Sequence, residues 1–274
     1  MSSMKISFCI VAYHEQDLIR RCLDSIKDVA DEILVVHDGP CEDQTLDIVR
    51  EYTQDVFIGE RQKGSDPHRV LLFEKARNQW VFMIDADEYL SDELKTLLLD
   101  PMFSLDGFAG MAVKWPLWNG ERYVTQHNWR TVLFDKEKCW AIGLHNFPTH
   151  VVGPVKRIPV ILEHKPRDTK IGLRRILSAG ISKRVVRDAH QYLLGYDALK
   201  KYNEHLIPES FKEWLNSYTA HPGRYMLWNP IKHFIGALRH SYKDGWYGFV
   251  SALQLAIFQF RLARAMMKIK KGKL

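Results

Sequence analysis

The apolar run Trp80-Val81-Phe82-Met83-Ile84 ends in Asp85-Ala86-Asp87-Glu88, three acids around one small residue. No other stretch of the chain is better suited to chemistry. A continuous apolar run of this kind reads as a strand buried on both faces of a parallel sheet. In open α/β sheets, ligands bind beyond the carboxyl ends of the strands. Carboxylates gathered there are costly to desolvate unless a cation sits among them. A divalent metal carrying a phosphorylated ligand is the simplest resident. Ser91-Asp92-Glu93 follows at once and has a plainer explanation, a serine cap with acids in the first turn of a helix. That explanation covers Asp92 and Glu93 but not Asp85 and Asp87.

Two further strand ends carry side chains of the same kind, in Tyr13-His14-Glu15 and His37-Asp38-Gly39. If the strands run parallel, Glu15, Asp38, Asp85 and Asp87 converge on one crevice. A carboxylate in that position can bond a ribose hydroxyl or a base edge. Each also has a structural use, Glu15 as a first-turn helix acid and Asp38 as turn chemistry before Gly39. Neither a G-x-G-x-x-G nor a Walker sequence is present. Phosphate must therefore be held by a metal and by cationic side chains.

The elements that would position these groups follow from the apolar spacing. Strands are expected over Lys5–Ala12, Ile33–Val36, Asp55–Ile58 and Trp80–Ile84, and helices over Asp17–Lys27, Glu42–Tyr52 and Arg69–Gln79. Such alternation argues for an α/β fold with a doubly wound parallel sheet. After Pro101 come strand-like segments at Phe108–Trp115, Arg130–Phe134, Trp140–Ile142 and Pro159–Leu162, expected as antiparallel additions to one side of the sheet. Beyond Pro166 the pattern turns helical. The expected division is residues 1–165 as the sheet domain and 166–274 as a helical region.

The chain has 274 residues and a net charge of +6, with the positive charge concentrated late. Lys165–Arg187 holds eight Lys/Arg against the single acid Asp168, and the last fourteen residues add six cations and no acid. Phosphate-rich ligands or an anionic membrane surface fit this better than nucleic acid. The four cysteines show neither paired nor zinc-like spacing and read as small core residues of a reducing compartment. Met1-Ser2-Ser3-Met4-Lys5 has no signal-peptide pattern, which points to the cytosol. Trp246–Phe260 is free of charge but shorter than the roughly 20 residues that span a bilayer. With its aromatics and the basic tail it is expected to lie on the inner face of a membrane as an interfacial helix.

Taken in order, Val11-Ala12-Tyr13-His14-Glu15, Cys22-Leu23-Asp24-Ser25-Ile26, Val35-Val36-His37-Asp38-Gly39 and Asp43-Gln44-Thr45 resemble a family 2 glycosyltransferase. Asp85-Ala86-Asp87-Glu88 falls where that family carries its D-x-D, and Arg69, Ala76 and Trp80 match the pattern upstream. The resemblance continues more loosely through Arg130–Phe134, Leu144-His145-Asn146 and Glu163-His164. Asp244–Phe249 is similar to the tail of bacterial lipopolysaccharide-core and capsule glucosyltransferases. It implies a GT-A fold and an inverting transfer from a nucleotide-sugar, usually UDP-linked, to a saccharide or lipid-linked acceptor. On that reading Tyr13, Glu15, Asp38, Arg69, Asp85 and Ala86 surround the nucleotide. Asp87 binds Mg²⁺ or Mn²⁺ on the diphosphate, and His164 is a further metal ligand or a diphosphate donor.

Two positions depart from the family pattern. His37 stands where many relatives have an acid, and His145-Asn146 stands where relatives often have His-Glu. Asn is no base, so the candidates are His145, Glu163 and Asp135, with His145 favoured because a neutral imidazole accepts a proton near pH 7. A haloacid-dehalogenase phosphohydrolase would want Thr or Val two residues after the second Asp, and a nucleotidyltransferase would want a Gly-rich N-terminal loop. A catalytically inactive nucleotide- or glycan-binding protein on the same fold is the remaining alternative.

Overall fold

The computed structural model describes residues 4–62, 66–144, 149–167 and 182–274. These fall into two compact units. The first comprises residues up to Pro116, Trp129–Arg167 and Lys200–Leu206; the second comprises Leu117–Asn128, Asp168–Leu199 and Ile207–Leu274.

The first unit is mixed α/β. Its strands β1 (Ile6–Ala12), β2 (Glu32–Asp38), β3 (Val56–Gly59) and β4 (Trp80–Asp85) are joined through helices α1 (Ile19–Ile26), α2 (Thr45–Arg50) and α3 (Asp66–Lys75). A short strand β5 (Glu88–Leu90) and helix α4 (Asp92–Leu99) follow, then β6 (Gly110–Lys114), β7 (Trp129–Asp135), β8 (Cys139–Ile142), β9 (His150–Val151) and β10 (Val155–His164). Eight strands form one sheet in the order β3-β2-β1-β4-β7-β6-β10-β5, with the first four parallel and β7 antiparallel to both of its neighbours. The segment around Trp140 is not in this sheet. It pairs instead with β9 and with β11 (Lys201–Tyr202) in a separate three-stranded sheet.

β1 is apolar throughout because both of its faces are covered. Ile6, Phe8 and Ile10 pack with Ile19, Leu23 and Ile26 of α1, while Cys9 packs with Leu34, Val70, Leu72 and Phe73 on the other face. Phe8 and Phe82 stack at 4.7 Å across neighbouring strands. Each such fully buried side chain contributes about 1.5–3 kcal/mol, enough together to fix the strand ends that carry the polar residues. Cys9, Cys22 and Cys139 are buried free thiols, as their sequence surroundings imply.

Three boundaries differ from the periodicity, each for a local reason. Helix α3 starts earlier than Arg69, at Asp66-Pro67, and a proline in the first helical turn costs no hydrogen bond. It stops at Lys75 because the next backbone N–H groups are taken elsewhere: Arg77 N donates to Glu32 at 2.9 Å and Asn78 N to Ser7 Oγ at 3.2 Å. Helix α2 starts after Asp43, whose carboxylate accepts from Thr45 N at 3.0 Å. Strand β10 runs past Leu162 to His164, with a register shift between Ile158 and Ile161 that accommodates Pro159, a residue with no N–H to give. Ser91 caps α4 by accepting from Leu94 N at 3.2 Å. Asp92 and Glu93 in its first turn are thus helix-start acids.

The second unit contains helices α5 (Lys183–Leu193), α6 (Glu209–Ala220), α7 (Pro222–Ser241) and α8 (Gly245–Lys270), with the non-helical segment Leu117–Asn128 bridged between Trp118 and Tyr123. Within the charge-free run that reads as a lipid-facing stretch, Gly248, Val250, Ala252, Ala256 and Gln259 of α8 are buried, while Trp246, Phe249 and Leu255 are exposed. No described helix is long and apolar enough to cross a membrane.

Candidate active site

The parallel register brings the ends of β1, β2, β3 and β4 to one edge. Ala12 pairs with His37, Asp38 with Gly59, and Val11 with Asp85. Gly59 is required there: a Cβ on it would lie 2.4 Å from Cε1 of His68. The bare glycine lets His68 reach Asp38, Nε2 to Oδ1 at 2.8 Å. Gln62 N donates to the same oxygen at 2.6 Å, and the Arg61 guanidinium donates to Oδ2. Asp38 is buried and both of its oxygens carry donors. Arg61 also lies over the Tyr13 ring at 3.3 Å. His14 adopts φ +52°, and its ring stacks on Tyr13 at 4.0 Å, so Tyr13 sits between a cation and an imidazole while remaining 37% exposed.

At the end of β4 the antiparallel pairing of β7 decides what faces Asp85. Trp80 is opposite Asp135 and Phe82 opposite Leu133. Beyond that pairing, β7 runs on past Asp85 and brings the Arg130 side chain to it. The Arg130 guanidinium lies 3.1 Å from Oδ2, while Arg69 of α3 donates to Oδ1 at 2.7 Å. Burial would raise the Asp85 carboxyl, but Arg69 and Arg130 outweigh it and hold the group well below the usual carboxylate range. Arg130 also donates to Glu88, which accepts Trp115 Nε1 at 2.6 Å and Asp85 N at 2.8 Å. Burial pushes the fully enclosed Glu88 carboxyl up to about 7, against the pull of Arg130.

Among the described residues, the ion-pair partner of Asp87 is an imidazole and not an arginine. Ala86 and Asp87 form the turn between β4 and β5, and β5 pairs antiparallel with β10, Glu88 opposite His164. The backbone continues that pairing through Lys165 N to Asp87 O at 3.1 Å. His164 is therefore delivered to the second Asp, with Nε2 3.4 Å from Oδ2, and its ring is held flat against Trp115 at 4.5 Å. Its Nδ1 is buried without a hydrogen-bond partner. Glu15 lies at the same mouth: burial pushes its carboxyl up to about 7, Arg167 at 3.6 Å pulls it down by less, and Asp87, Asp43 and Asp17 add to the rise. Among the described residues, Asp87 meets the His164 imidazole and Glu15 meets Arg167, so this pole of the crevice carries fewer fixed cations than Asp85 with its pair of arginines. His37, Cys41 and Asp43 also bring potential ligand atoms within 4.8 Å of one another, and Asp43 Oδ1 already accepts from Thr45 N and from Cys41 Sγ.

The structure gathers Tyr13, Glu15, Asp38, Arg69, Asp85, Ala86, Asp87 and His164 along the C-terminal edge of the parallel strands and the turn that follows them. Glu163 is one step out of phase with His164 on β10, opposite Tyr89. His145 and Asn146 lie outside the described residues. Asp135 is a correction: the antiparallel register carries it to the opposite end of β4, where it is buried and held by Lys138 at 3.1 Å and Gln79 at 3.3 Å. Arg61, His68 and Trp115 are the members that spacing did not single out, while Glu88 was seen only as part of the acid run and Arg130 only as a strand residue. Only the strand register and the loop after β3 bring them in, and a single sequence specifies neither.

The family model described as "Glycosyl transferase family 2" matches residues 7–154, more than half of the 274-residue chain. Among characterised relatives, the SPbeta prophage-derived glycosyltransferase SunS of Bacillus subtilis is 38% identical over 88 residues, 31% of this chain and 21% of SunS. An uncharacterized glycosyltransferase of Rickettsia typhi is 34% identical over 91 residues, 33% of this chain and 30% of that protein. The matched stretch thus spans less than a third of either relative. Among solved structures, the mannosyltransferase PcManGT of Pyrobaculum calidifontis, in complex with GDP-Man and Mn²⁺, aligns with a TM-score of 0.48 at 16% identity, covering 97% of this chain and 88% of that one.

Proposed function

This chain belongs to glycosyl transferase family 2, and from that premise we propose that it transfers a hexose from a nucleotide-sugar, UDP-linked in the simplest case, to a saccharide or lipid-linked acceptor. The observation that carries the reading is the contrast within the acid run. Asp85 is held by two arginines, whereas among the described residues Asp87, two residues later, pairs with an imidazole that is charged only if protonated. In this reading the exposed edge of Tyr13 faces the nucleoside, its ring faces being covered by Arg61 and His14. Glu15 and Asp38 flank the nucleoside, with Asp38 also anchoring Arg61 over Tyr13. Asp85, held by Arg69 and Arg130, faces the ribose, and buried Ala86 keeps the turn small.

The donor set fits a hard divalent cation, Mg²⁺ or Mn²⁺. A carboxylate and an imidazole meet at one point, acids crowd around it, and the His164 ring is fixed by stacking. Asp87 and His164 would hold it, and when bound there it supplies charge stabilisation for the departing diphosphate. Inversion needs a proton acceptor on the far side of the sugar. We assign that base to His145, from the sequence, with Glu163 as the alternative. Residues 1–165 make up the catalytic domain in this proposal, working in the cytoplasm on cell-surface saccharide synthesis.

A donor screen with manganese, read as nucleotide release, tests the proposal. Turnover of a nucleotide-sugar that requires metal and disappears in Asp87→Asn is the expected result. Tight UDP binding without turnover across donors and acceptors would overturn transfer in favour of a binding protein on the same fold.

A further inference from the structure

Helices α7 and α8 pack along each other yet leave large apolar side chains in solvent. On α7, Leu227 is 69% exposed, Trp228 65%, Ile231 50% and Ile235 46%. Steps of three and four residues put these on one face of the helix. Tyr242 and Trp246, at the turn into α8, are each 61% exposed. A contiguous apolar stripe of this kind marks an interaction surface more often than chance exposure does.

Charge identifies what it fits. Arg224, Lys232, Arg239 and Lys243 are exposed along the stripe. From His221 to Leu274 there are ten Lys/Arg and a single acid, Asp244. That acid is turned inward: its carboxylate accepts Gln126 N at 2.8 Å and meets His127 Nδ1 at 2.7 Å. A hollow of about 400 Å³ lined by His221, Arg224, Met267, Lys270 and Lys271 lies beside the first turn of α7. The region therefore offers apolar anchors, amphipathic aromatics and a cationic rim, with no exposed acid of its own, although Lys270 in the hollow already donates to Thr219 O and Ala220 O.

We propose that this face of α7, continued through Tyr242 and Trp246, docks on an anionic phospholipid bilayer. The helix lies in the plane of the interface with its stripe below the headgroups. Trp and Tyr suit that depth, and the cations meet anionic lipid. A second copy of the chain is the poorer occupant, because a two-fold contact would set one cationic rim against another with no exposed acid in the segment to pair them. The stripe belongs to the second unit alone, so the inference does not depend on the transfer reading. The sequence pattern points to Trp246–Phe260, where Gly248, Val250, Ala252, Ala256 and Gln259 are buried while Trp246, Phe249 and Leu255 stay exposed.

Sedimentation with vesicles tests it, comparing pure phosphatidylcholine with phosphatidylcholine containing about a third phosphatidylglycerol. The wild-type chain should bind the anionic vesicles, bind the neutral ones far less, and release as salt rises. Trp228→Ser/Ile231→Ser should weaken partitioning by about tenfold or more, from lost apolar burial. Lys232→Gln/Arg239→Gln should cost about fivefold per charge, and only on anionic vesicles. All four side chains are solvent-exposed, so unchanged thermal melting will certify the folds. Wild-type protein that stays in solution with anionic vesicles overturns the proposal, as do double variants that sediment like wild type. Light scattering that finds a lipid-free dimer, broken by Trp228→Ser/Ile231→Ser, overturns it in favour of self-association.

Discussion

The two poles of the crevice are built from the same residue types and come out electrically opposite. At the Asp38 pole, Arg61, Gln62 N and His68 satisfy both carboxylate oxygens, and the same arginine covers Tyr13. At the Asp87 pole, a carboxylate and an imidazole meet 3.4 Å apart while the neighbouring Glu15 is pushed up to about 7. Asp85 and Glu88 stand between the two, tied to the first kind of environment by Arg130. The difference teaches where an added cation belongs. A carboxylate that already has its donors is part of the frame, and one without them is an unfinished site.

The contrast can be broken most severely at the unfinished pole. Asp87→Asn should lower kcat/KM by about a thousandfold or more, the several kcal/mol of charge stabilisation a metal supplies to a leaving diphosphate, while leaving the melting temperature close to wild type. Arg130→Met should do the reverse. It strands Asp85 and Glu88 in a buried setting without their shared cation, so urea denaturation should show a loss of about 3–5 kcal/mol. Tyr13→Ala removes the ring on which Arg61 and His14 pack beside the nucleoside, and calorimetry should register a loss of about 1–2 kcal/mol in UDP affinity that is the same with and without metal.

The smallest effect concerns pH. Glu15 in the folded chain titrates near 7 against an ordinary 4.5, chiefly through burial. Its contribution to stability is thus complete below about pH 4.5 and is lost as the pH rises through 7, where the folded chain must ionise it. Because its side chain is 28% exposed, the loss should be only about 1 kcal/mol. Melting curves between pH 5 and pH 8 should be flatter in Glu15→Gln than in wild type by about that amount.

Much of the frame was legible in the chain itself. The apolar runs of β1, β2 and β4 are long and unbroken because both faces are covered, so their ends and the acids following them could be placed from spacing alone. Ser91 likewise marked where the helix-start acids begin. Arg130 was visible only as a strand residue, because its role depends on which strand β7 joins and in which register. Arg61 and His68 reach Asp38 from a loop and a helix start, where no periodicity operates. His164 falls beside Asp87 because β10 passes its bulge at Pro159 and continues to pair with β5, a strand too short to stand out in the sequence. On α8 the apolar residues were read correctly as apolar, but packing along α7 decides which of them meet solvent.

The most direct test is the linkage between metal and nucleotide, measured as UDP affinity by calorimetry with and without Mn²⁺ in wild type, Asp87→Asn and Tyr13→Ala. The account predicts that Mn²⁺ tightens UDP binding by about tenfold or more in wild type and in Tyr13→Ala, and has no effect in Asp87→Asn. An undiminished metal effect in Asp87→Asn, or wild-type binding indifferent to Mn²⁺, would contradict it.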